Sequence, residues 1–190
     1  MRRSLALLVF LACGGCVAPS PVVRLPAPAS VEVAYLLDDP ARRVTQRLEP
    51  GTAQLFDQIL AERNLRPHRV EASDTFELLT SARSTDRRLR ALREAAGPSD
   101  FVLLVEAQAV FYSQINGRYR WTVSAKLSMA GPGQSAPQID ELETPALLLF
   151  DHEREQRAVQ DVAAVLSRRL AYLVDGYLHG LTDARPAKKE

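Results

Sequence analysis

The chain has 190 residues, 46% of them hydrophobic and 25% charged, which suits one globular domain with a core and excludes a disordered tail. Net charge is +1, and −1 once residues 1–15 with Arg2 and Arg3 are set aside. A balance this near neutral gives no electrostatic ground for nucleic acid as a partner.

Met1-Arg2-Arg3-Ser4 is a short basic start, and Leu5 to Ala12 is an apolar run of eight residues. That run is far short of the ~20 residues that a membrane-spanning helix needs. Basic start, short apolar run and small residues before a boundary describe a secretory signal. Cys13 and Cys16, the chain's two cysteines, both fall at that boundary. A cysteine there resembles a bacterial lipoprotein signal, in which it becomes the lipidated first residue of the mature chain. Cys16, preceded by Cys13-Gly14-Gly15, is the favoured lipidation site; Cys13, preceded by Phe10-Leu11-Ala12, is the alternative. Formally the pair is C-x-x-C, but a redox motif belongs at a helix start beside a βαβ pattern, and this one ends a hydrophobic leader. The resemblance implies an outer-membrane default, because Asp after the lipidated Cys favours the inner membrane and Val17 stands here.

The division is then 1–15 signal peptide, 16–30 lipidated cysteine and proline-rich tether, 31–183 a single α+β domain, and 184–190 a frayed charged tail. Pro19, Pro21, Pro26 and Pro28 favour extended geometry in the tether. "VEVAYLL", Val31 to Leu37, reads as a strand ended by Asp38-Asp39-Pro40. "GTAQLFDQILAERN" reads as a helix capped at Gly51-Thr52, with Leu55, Phe56, Ile59 and Leu60 on one face. "HRVEAS" is a short strand, and Asp74 with Glu77 fits a capping box opening a helical stretch to Ala96. A break is allowed near Ser84-Thr85-Asp86, and Gly97-Pro98 stops the stretch.

The strongest local signal is "DFVLLVEAQAVFYSQINGRYRWTVSAKLSMAG". Asn116-Gly117 is the pair a type I′ hairpin turn requires, since both central residues need positive φ. Beyond the turn, apolar and polar residues alternate from Arg118 to Met129, as in a half-buried strand. Counting back from the turn sets Tyr112 opposite Trp121 and Val110 opposite Val123. "GPGQSAPQIDELETP" reads as a loop and Ala146 to Phe150 as a short strand. Asp151 is placed as the cap of one last helix, His152 to Leu181, whose apolar stripe includes Val159, Leu166, Leu170, Val174 and Tyr177.

No catalytic constellation emerges, and no cofactor or metal is called for. His68, His152 and His179 do not converge at ligand spacing, and no G-x-S-x-G or glycine-rich phosphate loop is present. Asp38-Asp39-Pro40 is turn chemistry. Arg83, Arg87, Arg88, Arg90 and Arg93 read as a solvated helix face. Tyr112, Arg118, Tyr119, Arg120 and Trp121, around the hairpin, are the candidate partner-binding residues, because aromatic and arginine side chains dominate interface hot spots.

The segments "VEVAYLLDD", "LFDQILAERNLRPHRVEAS" and "AAGPSDFVLLVEAQAV" resemble the envelope group that includes the curli-secretion lipoprotein and the TolB amino-terminal domain. The stretch "NGRYRWTVSAKLSM" with the last helix is also similar to auxiliary lipoproteins of lipid and lipopolysaccharide transport. These resemblances imply an α+β fold: four or five strands, antiparallel or mixed, with helices packed on one face and a long C-terminal helix. They also imply a non-enzymatic, lipid-anchored module on the periplasmic face of a Gram-negative outer membrane, docking on an envelope protein complex. A lipid-transport accessory is the alternative, and it calls for an apolar groove or basic patch on the open sheet face.

Overall fold

Two neighbouring strands, β1 (Ala29–Asp39) and β4 (Phe101–Ile115), form the middle of the sheet in parallel register from Val31↔Phe101 to Asp38↔Gln108. Both are apolar on two faces over their shared length: Val31 to Leu37 is buried at every position but Glu32, and Phe101 to Val105 throughout. In the computed structural model the described residues are 22–70, 72–98, 100–133, 136–148 and 155–183. Cys13, Cys16, Asp151, His152 and the tail 184–190, to which the sequence assigned roles, lie outside the described residues.

The other elements are β2 (Val44–Arg47), α1 (Pro50–Ala61), β3 (Leu65–Arg69), α2 (Ser73–Ser81), α3 (Thr85–Ala95), β5 (Arg118–Ala130), β6 (Gln138–Leu148), α4 (Glu155–Asp161) and α5 (Ala163–Asp183). The sheet runs β2-β1-β4-β5-β6, and β3 pairs in parallel with the first half of β1 on the side where β2 pairs with its second half. The expected α+β class, mixed sheet and long C-terminal helix are what the chain adopts, with one strand more than expected. Helices occupy both faces, not the one face expected. Phe56 and Leu60 of α1, Val159 of α4, and Leu166, Leu170, Val174 and Tyr177 of α5 bury one face with the odd-numbered residues of β1, β4 and β5. Leu79 of α2 and Leu89 and Leu92 of α3 bury part of the second face with Ala34, Leu36, Val102 and Leu104.

Local chemistry departs from the sequence reading at several points. The cap of α1 is Glu49, whose carboxylate accepts the Thr52 N–H, and Pro50 opens the helix where a missing N–H costs nothing. Leu55 is exposed, because Ala53, Phe56 and Leu60 form the buried stripe. Ala72, not Asp74, precedes α2, so the capping box does not form and Asp74 sits in the first turn. Ser84 caps α3 at the expected break by accepting the Arg87 N–H. The stretch read as a loop from Gly131 to Pro145 contains most of β6. Its hidden alternation is Asp140, Leu142, Thr144, Ala146 and Leu148 inward, and Oδ1 of the inward Asp140 pairs with Arg169 of α5 at 2.5 Å. The last helix is two helices, divided at Val162.

β6 is a free edge over part of its length. The Leu147 N–H is accepted by Asp161, and Pro145 has no N–H to offer.

Leu166 and Leu170 are fully buried between α5 and the sheet. Replacing either with Ala in a soluble chain beginning at Val22 is expected to cost ~2–5 kcal/mol in denaturant unfolding. A loss under ~0.5 kcal/mol, the surface range, would place the stripe outside the core.

Candidate functional site at the hairpin end

β4 outruns β1. Its last partner on that side is Asp38, opposite Gln108, and seven more residues carry it to Ile115 with only β5 alongside. Asn116 (φ 49°) and Gly117 (φ 74°) make the tight turn expected of them. The register, however, is not the one obtained by counting back. A β-bulge between Phe111 and Ser113 inserts Tyr112, so Phe111 faces Trp121 and Ala109 faces Val123. One extra residue moves the side chains before it to the opposite faces.

The bulge sorts the candidate residues into two sets. On the face covered by α1, α4 and α5, Trp121 is buried, Tyr119 is half-buried, and the Phe111 ring packs against both at 5.6 and 6.3 Å. These rings stiffen the hairpin, and Trp121 is a core residue rather than a contact surface. On the other face lie Tyr112, 72% exposed, and Arg120, whose guanidinium stands 5.5 Å from the Tyr112 ring centroid. Arg118 pairs across from Ile115, and Arg120 across from Leu147 on β6. Ile115, Asn116, Arg118, Arg120 and Leu147 line a shallow hollow of about 430 Å³. Val110, Phe111, Tyr112, Ile115 and Leu147 are each more than 45% exposed, and this end of the sheet thus holds a concentration of uncovered apolar surface.

The segment 22–28, read as tether, is seated at the opposite end. Val23 N–H donates to Asp175 Oδ1 and Leu25 N–H to the Arg63 carbonyl, while Asn64 Nδ2 donates to the Leu25 carbonyl. Arg63, 3% exposed, holds Asp175 with two hydrogen bonds of 2.8 and 2.7 Å, joining the end of α1 to α5. From Phe101 to Ile115 at ~3.3 Å per residue, about 45 Å of strand separates that end from the turn.

Between the two ends, the exposed part of the second face is polar. A trough of about 510 Å³ is lined by Glu106, Gln108, Ser124, Lys126, Glu141 and Glu143 below the start of α3. At its margin Arg88 is not on a solvated helix face, as expected, but 4% exposed. Its guanidinium donates to both Asp38 oxygens at 2.7 and 2.8 Å, to Glu106 at 2.6 Å and to the Leu79 and Ala82 carbonyls. Of the acidic pair only Asp39 does turn work, accepting the Arg42 N–H. Glu106, an acid inside the apolar run "FVLLVEAQAV", was the sequence signal for a buried cation. Burial would raise the Asp38 pKa, but hydrogen bonds from Arg88 and Thr45 outweigh it and hold the carboxyl below its usual value.

A second, apolar-walled cleft of about 400 Å³ opens where β2 and β3 diverge from β1, between Val33, Tyr35, Leu48, Ala53, Val70 and Phe76, with Arg47 and Arg69 at its rim. His68 and His179 are exposed on separate elements, and the described residues hold no group of three or more potential metal ligands.

No family model matches the chain, and no curated protein matches it. Among solved structures it is similar to a hypothetical protein of Chlamydia trachomatis, at 13% identity and a TM-score of 0.46, over 80% of this chain and 98% of that one. It is also similar to a lipoprotein of Neisseria meningitidis, at 17% identity and a TM-score of 0.40, over 75% and 98%. The rare lipoprotein B of Shewanella oneidensis matches at 11% identity and a TM-score of 0.31, over 80% and 94%.

Arg88→Ala leaves two partly buried carboxylates without their cation and is expected to cost about 3–5 kcal/mol. Because the Asp38 pKa is depressed on folding, its contribution is complete above the unfolded value of about 3.9 and lost as pH falls through the folded one. Denaturant unfolding of native protein and Asp38→Asn should therefore differ at pH 7 and converge below about pH 4. A gap that stays constant with pH would remove Asp38 from the acid response.

Proposed function

We propose that this chain is a non-catalytic, lipid-anchored envelope module that docks on a larger protein assembly. The observation that carries the reading is the placement of the exposed apolar and arginine-bearing hairpin end about 45 Å from the seat of the N-terminal segment. A chain held to a bilayer through residue 16 has six residues, 17–22, before Val23 meets Asp175, roughly 20 Å at ~3.1 Å per residue. Its base then stays near the membrane and its hairpin points into the periplasm.

The reading as a lipid-transport accessory called for an apolar groove or basic patch on the open sheet face. Between its two ends that face presents Gln108, Ser124, Lys126, Glu141 and Glu143, and at the hairpin end it presents Arg118 and Arg120 beside exposed Ile115 and Leu147. The cleft beside Tyr35 and Phe76, at the sheet edge, is the feature that favours it.

Metabolic labelling with a fatty-acid analogue tests the anchor. Cys16→Ser is expected to leave an unlabelled, unprocessed precursor. Undiminished label in this variant would assign the anchor to Cys13, and an unlabelled native chain would remove the lipid anchor altogether.

Docking is tested by placing a photo-crosslinking residue at position 115, at the tip, or at position 66, near the base, in cells. Position 115 should yield a covalent adduct with an envelope protein and position 66 should not. Adducts from neither position, or equally from both, would sink the docking reading and turn attention to the cleft.

A further inference from the structure

We propose that the occupant of the hairpin hollow is an acidic protein segment, gripped by Arg118 and Arg120 over an apolar floor of Ile115 and Leu147, with Tyr112 beside it. The inference rests on the docking reading and names the partner's chemistry.

Three observations carry it. First, the bulge at Tyr112 divides the hairpin into an inner side that packs Phe111, Tyr119 and Trp121 together and an outer side that no described helix covers. On that outer side Val110, Tyr112, Ile115 and Leu147 are 46, 72, 46 and 50% exposed. Second, the charge there has no carboxylate partner among the described residues. From Val110 to Thr122 and from Pro145 to Leu148 the sequence has no Asp or Glu. Among the described residues neither Arg118 nor Arg120 has a carboxylate partner, whereas Arg63, Arg69, Arg88 and Arg169 all do. Glu143 on the same face lies opposite Ser124, further down the strands, and Asp161 is engaged by the Leu147 N–H at the edge. Third, the hollow is concave and its two guanidiniums stand beside apolar side chains.

Covering Ile115, Leu147 and Tyr112 with a partner removes water from both guanidiniums as well. An unpaired charge taken out of water is costly, and a carboxylate that meets the guanidinium fork offsets that cost. A neutral or basic partner would therefore be rejected. A second copy meeting tip to tip would set arginine against arginine. Anionic lipid headgroups offer the same charge, but a chain tethered at the opposite end of the sheet presents this tip away from its own bilayer.

The test uses the full-length protein with a photo-crosslinking residue at position 112. Adduct peptides identified by mass spectrometry should come from one envelope protein and contain Asp or Glu. Arg118→Glu with Arg120→Glu should lower the adduct yield about tenfold or more, as expected for losing close charge pairs. Reversing the partner's carboxylates to lysine should restore it. Unfolding midpoints of the double variant equal to native exclude a folding defect.

An adduct unaffected by the double charge reversal overturns the inference while leaving docking intact. So does an adduct with a second copy of the chain, or one with its own segment 149–154. Binding of the full chain to phosphatidylethanolamine–phosphatidylglycerol vesicles that the double variant loses would assign the hollow to lipid instead. Absence of any adduct at 112 and at 115 overturns both the inference and the docking reading.

Discussion

The parallel pairing of β1 with β4 is the constraint from which the rest of the molecule follows. A parallel pair cannot be closed by a tight turn, so a long crossover through β2, α1, β3, α2 and α3 separates the two strands in the chain. Such strands are also buried on both sides, which obliges helices to lie on both faces of this sheet. The cover on the second face extends only as far as Leu36 and Leu104 need it. Past that level β4 turns polar with Glu106 and Gln108, then runs on as one arm of a hairpin without β1 beside it. The hairpin end is exposed because the strand that carries it is longer than the layer that protects it.

Most of this architecture was legible in the residues, and the failures have physical causes. Residue type located β1 and the Asn116-Gly117 turn, and periodicity located β5 and the stripe by which Leu166 and Leu170 pack their helix against the sheet. β2 escaped because VTQR is a four-residue edge strand with no buried position, held by pairing with Leu36–Asp39 rather than by its own pattern. Of β6 only the end from Ala146 was read as strand; the rest escaped because Asp140 sits at an inward position, where it pairs with Arg169. The bulge at Tyr112 has no sequence signature at all, since neither Phe111 nor Ser113 is a glycine, and it alone decides which aromatics face outward. Arg88 was hidden among three other arginines on α3. Only the tertiary position of Asp38 and Glu106 distinguishes it.

Two buried guanidiniums perform related tasks at different places. Arg88 ties the α2–α3 pair to β1 and β4, and Arg63 ties α1 to α5 and, through Asp175, to the N-terminal segment. Each satisfies its donors with carboxylates and with carbonyls at a helix end, where the negative pole of the helix is also favourable. Hydrophobic contacts place layers without fixing their lateral position; multidentate arginines fix it, because their geometry admits one arrangement.

The free edge of β6 has a consequence for how the molecule behaves in company. An unpaired strand edge is a template for another chain. Here the half near the hairpin is closed by structure, since Pro145 has no donor and Asp161 occupies the Leu147 N–H. By alternation the outward N–H groups of the other half belong to Ile139, Glu141 and Glu143. Among the described residues that half is defended by charge, and Glu141 is already partly neutralised by Lys126 at 2.8 Å. A steric guard is indifferent to its surroundings, but an electrostatic one weakens as added ions shorten the screening length. The guard on this half therefore depends on the ionic strength of the medium, whereas the missing donor at Pro145 does not.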